Sequence, residues 1–307
     1  MGSHLSIETQ NHPVDSEQII IAKHLLINRI KDLIKGIART RGGLFGMIFI
    51  IGMILTAVFA PFISPFDPYE QDIINRFSGP SLDHFMGTDY LGRDILSRII
   101  YGCRIATMVS FGSVTLSAFV GVIMGVLAGY REGSKFDYFI ILIFDVVISF
   151  PQVILALAII AVLGPSLFNL IVALALTSFP FYGRIARAQT LSVKESDFVK
   201  ASEALGLSKA RVIFKHIIPN ILTPIIVCLG MDMATMIIYE AGLSFLGLGV
   251  KPPTASWGIM LQNGYKYIMT SPWMIFWPAF AIAVTMVAFA LFSDGFRKML
   301  DPKEREK

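Results

Sequence analysis

The chain has 307 residues, 54% of them hydrophobic and only 16% charged, with a formal net charge of +4. So few charges exclude an ordinary water-soluble domain of this length, and the modest positive balance gives no reason to invoke nucleic acid. Two cysteines are too few for a disulfide framework, and their spacing fits no zinc site.

Residues 1–18 carry no usable signal and read as unstructured. They open a basic arm, 1–43, with Lys23, Arg29, Lys31, Lys35, Arg39 and Arg41. Six apolar segments follow, at 44–63, 105–130, 138–163, 167–182, 221–246 and 273–292. Each approaches or exceeds the roughly 20 residues that a helix needs to cross the hydrocarbon core. The first begins too far from Met1, and lacks the small-residue cleavage site, to be a removable signal peptide. Between it and the second, FDPYEQ and SGPSLDHFMGTDYLGRD hold enough turn formers for an irregular folded cap within 64–104. Tyr90, Leu91, Ile95, Leu96, Ile99 and Ile100 then resume helical spacing, which predicts a short helix along the membrane surface. The second span carries Ser113, Ser117, Gly121, Gly125 and Gly129 four apart, a stripe that lets another helix approach closely. Whether that helix belongs to this subunit or to another is open from sequence. Pro151 and Pro180 are expected to kink the third and fourth spans. Cys103 and Cys228 read as small packed hydrophobes.

The stretch SDFVKASEALGLSKARVIFKHIIPN, 196–220, differs from its greasy surroundings. Phe198, Ala201, Ser202 and Leu205 recur at helical spacing with Asp197, Lys200 and Glu203 between them. Gly206 suits a left-handed helix end, Ser208 the cap of a second helix, and Pro219 its close. A membrane protein that keeps such a hairpin outside the lipid is expected to present it to a partner. The competing reading is an amphipathic pair lying on the lipid headgroups. A further polar segment, 247–272, contains MLQNGYKYI, which predicts another short amphipathic helix.

The placement of Lys and Arg sets the orientation. With six spans, the basic arm, the turn at Arg131 and Lys135, the segment from Arg184 to Lys215 and the tail share one side. They hold 20 of the 26 Lys and Arg residues. Both termini and the hairpin are therefore expected in the cytosol.

No GxxxxGK[ST] phosphate loop, HExxH pair or GxSxG elbow occurs, and the five histidines are scattered. No metal or catalytic site is expected, and any ATP that drives the chain is hydrolysed by another. Asp145, Asp232, Glu240 and Asp294 fall in or near spans. An ionised side chain at mid-bilayer costs at least about 2.5 kcal/mol, so each is expected to face a cavity, a partner or a helix interior. Asp145, Asp232 and Glu240 are the candidates for a translocation path or gate.

The hairpin resembles the EAA loop of ABC importer permeases. Gly206 and Pro219 match its Gly and Pro at the right separation and Ala201 its first Ala, while Lys200 replaces the Glu and Ser202 the second Ala. GTDYLGRDILSR (87–98), FDVVISFP (144–151), EAGLSFLGLGVKPPTASWGIML (240–261) and FSDGFRKMLDP (292–302) are similar to recurrent motifs of the C-type subunit in the dipeptide/oligopeptide/nickel family. The likeness covers nearly all of 44–302.

The resemblance implies an all-α membrane protein with the type I importer permease fold: six transmembrane helices and a cytosolic coupling helix. The parts are the arm 1–43, the first span with its external cap (44–104), a permease core (105–302, coupling loop 184–220) and a tail (303–307). It implies ATPase coupling through Phe198, Lys200, Ala201, Ser202, Glu203, Leu205, Gly206 and Pro219. Asp89, Arg93 and Asp94 then either contact a binding protein or stabilise the cap. The implied partners are a sister permease, two ATPases that carry the ATP and Mg²⁺, and an extracytoplasmic solute-binding protein, in a bacterial or archaeal plasma membrane. The cargo is a di- or oligopeptide, or alternatively nickel or a metal chelate. An ion-coupled carrier using Asp145, Asp232 and Glu240, and a membrane scaffold without transport, are the readings from other classes.

Overall fold

The computed structural model describes Gly36 and residues 40–300. The 1–18 segment, most of the basic arm and the tail 303–307 lie outside the described residues. Ten helices follow Thr40: α1 (Arg41–Ile63), α2 (Ile95–Tyr130), α3 (Lys135–Ile148), α4 (Gln152–Leu163), α5 (Leu167–Lys194), α6 (Asp197–Ala204), α7 (Lys209–Val212), α8 (Ile218–Phe245), α9 (Trp257–Lys266) and α10 (Trp273–Leu300). Among the described residues the only β pairing is an isolated bridge between Thr88 and Asp94. Among the described residues five helices are long and apolar enough to cross a membrane, and α3 with α4 makes a sixth if the bent pair counts as one span.

The centre of the molecule is the parallel pair α2 and α5, on which Gly112, Gly121, Gly125 and Gly129 meet Ile171, Phe179, Gly183 and Arg187 in turn. Ser113, Ser117, Gly121, Gly125 and Gly129 are all buried on one face of α2. A methyl group added to Gly121 would meet the Phe179 carbonyl, and one on Gly125 the Gly183 carbonyl. The stripe is therefore filled from within the subunit, by the backbone of α5. Ser113 and Ser117 turn their hydroxyls back to the carbonyls of Val109 and Val114 at 2.5 and 3.1 Å, leaving no polar atom loose at the contact. Around this pair α8 packs on both helices, α10 on α8, and α1 on both α10 and α2. Cys103 and Cys228 are free thiols on α2 and α8.

Three expectations need correction. The spacing from Tyr90 to Ile100 does not make a separate surface helix. Asp94 accepts the Ser97 amide at 2.7 Å and starts α2 at Ile95, and the helix then runs unbroken for 36 residues, about 54 Å. The third span is not merely kinked: α3 and α4 meet at 91° around 149–151. Pro151 lacks the N–H that would continue the ladder and disfavours a helical conformation at Phe150. Gln152 Nε2 then anchors the second half, donating to Ser178 Oγ at 2.5 Å. Pro219 does not close the hairpin's second helix. A π turn over Ile213–Ile217 leads straight into α8, where Pro219 occupies the first turn, a position whose N–H needs no intrahelical partner. Pro180, by contrast, lies inside a continuous α5, and the expected short helix after Ser256 is α9.

The cap, 64–94, is held by charge and indole. Asp89 receives Arg93 Nε at 2.8 Å and has Arg98 Nε at 3.6 Å, all three side chains being under 10% exposed. Asp94 also meets His84 Nδ1 at 3.0 Å. Trp273 Nε1 donates to the Thr88 carbonyl and Trp257 Nε1 to that of Ile99, tying the cap and α2 to α10 and α9.

Two outcomes are expected. Gly125→Leu forces α2 from α5, an overpacking that costs about 1–3 kcal/mol and lowers the thermal unfolding midpoint of the purified complex. Asp89→Ala leaves Arg93 and Arg98 buried without their anion, at about 3–5 kcal/mol, so it should destabilise more than Asp72→Ala on the cap's exposed rim. Equal midpoints for the two carboxylate variants would refute the latter.

Candidate functional site

The hairpin is built by local rules. Leu205 caps the end of α6, Gly206 adopts φ +79°, and the amides of Gly206 and Leu207 donate to the carbonyls of Glu203 and Ser202 at 2.9 and 3.2 Å. That is the Schellman arrangement, in which glycine satisfies the orphan carbonyls of the last turn. Val199 is fully buried and joins Val212, Ile213 and Ile217 in the main core. One turn face of α6 is thereby hooked into the protein.

The opposite face is bare. Phe198 is 47% and Leu205 81% exposed, and Lys200, Ala201 and Glu203 are exposed beside them, with Ser202 half-buried. The predicted partner-facing residues thus lie together at the surface, with Gly206 at the corner. Pro219 sits apart, in the first turn of α8. Lys200 pairs with Glu195 of its own chain at 2.9 Å. That bond holds the Glu195 carboxyl below the usual carboxylate range and raises the Lys200 ammonium. Glu203 accepts the Tyr130 hydroxyl at 2.6 Å, which ties α6 to the last residue of α2.

The spans' carboxylates do not converge on one point. Asp145 on α3 pairs with Arg184 on α5 at 2.5 Å, and both side chains are more than half exposed. Asp145 lies ten residues beyond the start of α3, about 15 Å along it. One to two turns nearer the hairpin, Arg187 grips the buried Asp137 with two hydrogen bonds of 2.7 and 2.9 Å. Asp232 accepts the Tyr182 hydroxyl at 2.8 Å, and Glu240 accepts that of Ser244 at 2.7 Å while fully enclosed. Asp294 is exposed near the end of α10. In the cap, Asp89, Arg93 and Asp94 are all turned inward, the geometry of a stabilising role.

Sequence reasoning missed Val199, Tyr130, Arg184 and Tyr182. The first had a signal: Val199 and the Val212–Ile213–Ile217 set form one apolar face across the hairpin. The others are partners across more than 38 residues of chain, which no local pattern marks.

The family described as the binding-protein-dependent transport system inner membrane component matches residues 121–306, and the N-terminal TM domain of oligopeptide transport permease C matches residues 29–80. The chain is 40% identical over 273 residues to the dipeptide transport system permease protein DppC of Alkalihalophilus pseudofirmus, covering 89% of this chain and 90% of that one. It is 38% identical to the oligopeptide transport system permease protein OppC of Bacillus subtilis, covering 90% of each. The inward-facing MetNI methionine ABC transporter shares its fold, with a TM-score of 0.55, 20% identity, and coverage of 67% of this chain and 98% of that one. The helices, the hooked hairpin and these matches agree: the chain belongs to the binding-protein-dependent transport system inner membrane components, as a C-type ABC importer permease subunit and not an enzyme.

Proposed function

We propose that this chain is a permease subunit of an ATP-driven, binding-protein-dependent importer of di- or oligopeptides. It forms the translocation path with a sister permease and couples to two ATPases through its hairpin. The observation that carries this is α6: anchored by Val199 on one side, it offers Phe198, Ala201 and Leu205 on the other, the form of a helix-in-groove ligand. The Lys and Arg bias supports a cytosolic hairpin and cytosolic termini, in a bacterial or archaeal plasma membrane. This chain holds no cofactor of its own; ATP and Mg²⁺ act on the partner ATPases. The names of the relatives, dipeptide and oligopeptide permeases, favour peptides over nickel or chelates.

The mechanism follows from how the hairpin is fixed. Closure of the two ATPases would displace α6. Val199 and the Tyr130–Glu203 hydrogen bond pass that displacement to α5, α8 and α2. Long, continuous helices bonded by close backbone contact move as bodies, so the motion reaches the far side as alternating access. The Asp145–Arg184 pair supports a path on this face. A charge pair more than half exposed within a span is disfavoured against lipid tails, so it belongs against water or the sister subunit. Asp232 and Glu240, hydrogen-bonded inside the protein, act as packing carboxylates: Asp232 sets α8 against Tyr182 of α5, and Glu240 bonds Ser244 one turn along α8 itself.

Ala201→Arg and Leu205→Asp test the coupling face, since both positions are exposed and neither change disturbs the core. Reconstituted with the sister permease, the ATPases and the binding protein, each should lower peptide uptake roughly tenfold or more while the complex still inserts and hydrolyses ATP. Uptake at the parent rate would refute the reading. Transport by this chain alone, driven by an ion gradient, would establish the carrier instead.

A further inference from the structure

On the cap side of α2 an open cavity of about 200 Å³ is walled by three separate segments: Tyr69 of the cap, Tyr101, Arg104 and Met108 of α2, and Thr254 and Ala255 before α9. The Arg104 guanidinium lies over the Tyr101 ring, 5.9 Å from its centroid, and Tyr69 meets Tyr101 edge-on at 5.9 Å. Arg93 and Arg98, on the same side of the molecule, both pair with Asp89. Arg104 belongs to none of the ion pairs among the described residues. It stands nine residues beyond the start of α2, about 14 Å along the helix, half-buried and facing the cavity.

A guanidinium held in place by an aromatic face, with its donors free, is built for a planar anion. Its fork matches a carboxylate with two parallel hydrogen bonds, which an ammonium does not do. The cavity is smaller than the roughly 300–1,000 Å³ that drug-sized ligands occupy, so it suits one end of a solute. Below it the same face of α2 continues through Phe111, Thr115 and Phe119, which line an apolar hollow of about 490 Å³. A charged head and an apolar track therefore follow one another along one helix.

We propose that Arg104, with Tyr101 and Tyr69, forms a subsite on the entry side of this subunit that receives the C-terminal carboxylate of the transported peptide. The inference rests on the peptide-importer reading above and adds to it a recognition point within the permease itself.

The test uses the assembled complex in lipid nanodiscs without binding protein, and alanylalanine with its C-terminal amide as probes, binding being followed by saturation-transfer NMR. The complex should bind the free acid about tenfold more tightly than the amide, and Arg104→Gln should erase that preference in preparations whose ATPase is still stimulated by binding protein. Met108→Ala, which alters the same cavity without touching charge, should keep it. Equal binding of acid and amide by the parent complex, as expected if a lipid phosphate fills the site, would overturn the proposal. So would an undiminished preference in Arg104→Gln, or its loss in Met108→Ala. Peptide uptake is measured with the same complex in proteoliposomes. No uptake by the parent sinks the importer reading, whereas uptake without acid preference sinks the subsite alone.

Discussion

Inside a bilayer an apolar side chain gains little by turning from lipid to protein, so helices associate through how closely they can approach. In this chain that constraint is met by the face of α2 from Ser113 to Gly129. Its residues carry no side chain larger than a hydroxymethyl, and the backbone of α5 lies directly against them. The other helices take their positions from this pair: α8 rests on both, α3 is gripped by Arg187 of α5, α10 lies on α8, and α1 lies on α10 and α2. From Phe179 to Thr190 the contact follows the second half of α5, so it runs toward the end from which the hairpin departs.

Charge is handled by the same economy of position. Arg187 grips the buried Asp137 with two hydrogen bonds, satisfying a carboxylate that would otherwise be enclosed without a partner at the start of α3. In the cap, Asp89 stands between Arg93 and Arg98, and Asp94 caps α2 while holding His84. These groups leave the protein's outer surface free of their charge. Asp145–Arg184 is different because it is open, and Arg104 because it pairs with no carboxylate among the described residues. A charge so placed in a membrane helix is disfavoured against lipid tails.

Much of this was legible in the sequence. Apolar length identified the spans, the four-residue spacing gave the stripe, and Gly206 marked the hairpin's corner, because each depends on chemistry within a turn or two of chain. The failures share a cause as well. Pro151 signalled a break but not its 91° size, which depends on Gln152 reaching Ser178 on another helix. The spacing from Tyr90 suggests a short helix of its own, but helical periodicity does not show where a helix starts, and Asp94 caps the long α2 at Ile95. Pro219 was read as a stop because a π turn, which has no sequence signature here, places it at the start of α8. The partners Tyr130–Glu203 and Tyr182–Asp232 lie 73 and 50 residues apart, and only the packed fold brings them together.

The hairpin shows why those long-range partners matter for function. An exposed helix of eight residues is too short to be stable alone, since nucleation is unfavourable and few hydrogen bonds follow. α6 exists because Val199 is buried and Glu203 is bonded to Tyr130. A ligand that owes its shape to its attachments cannot be pushed without loading them. The residues that leave Phe198 and Leu205 available to a partner are therefore the ones that connect α6 to the central helix pair. Recognition and transmission share one small element, and a longer, self-sufficient helix on a loose linker would offer the first without the second.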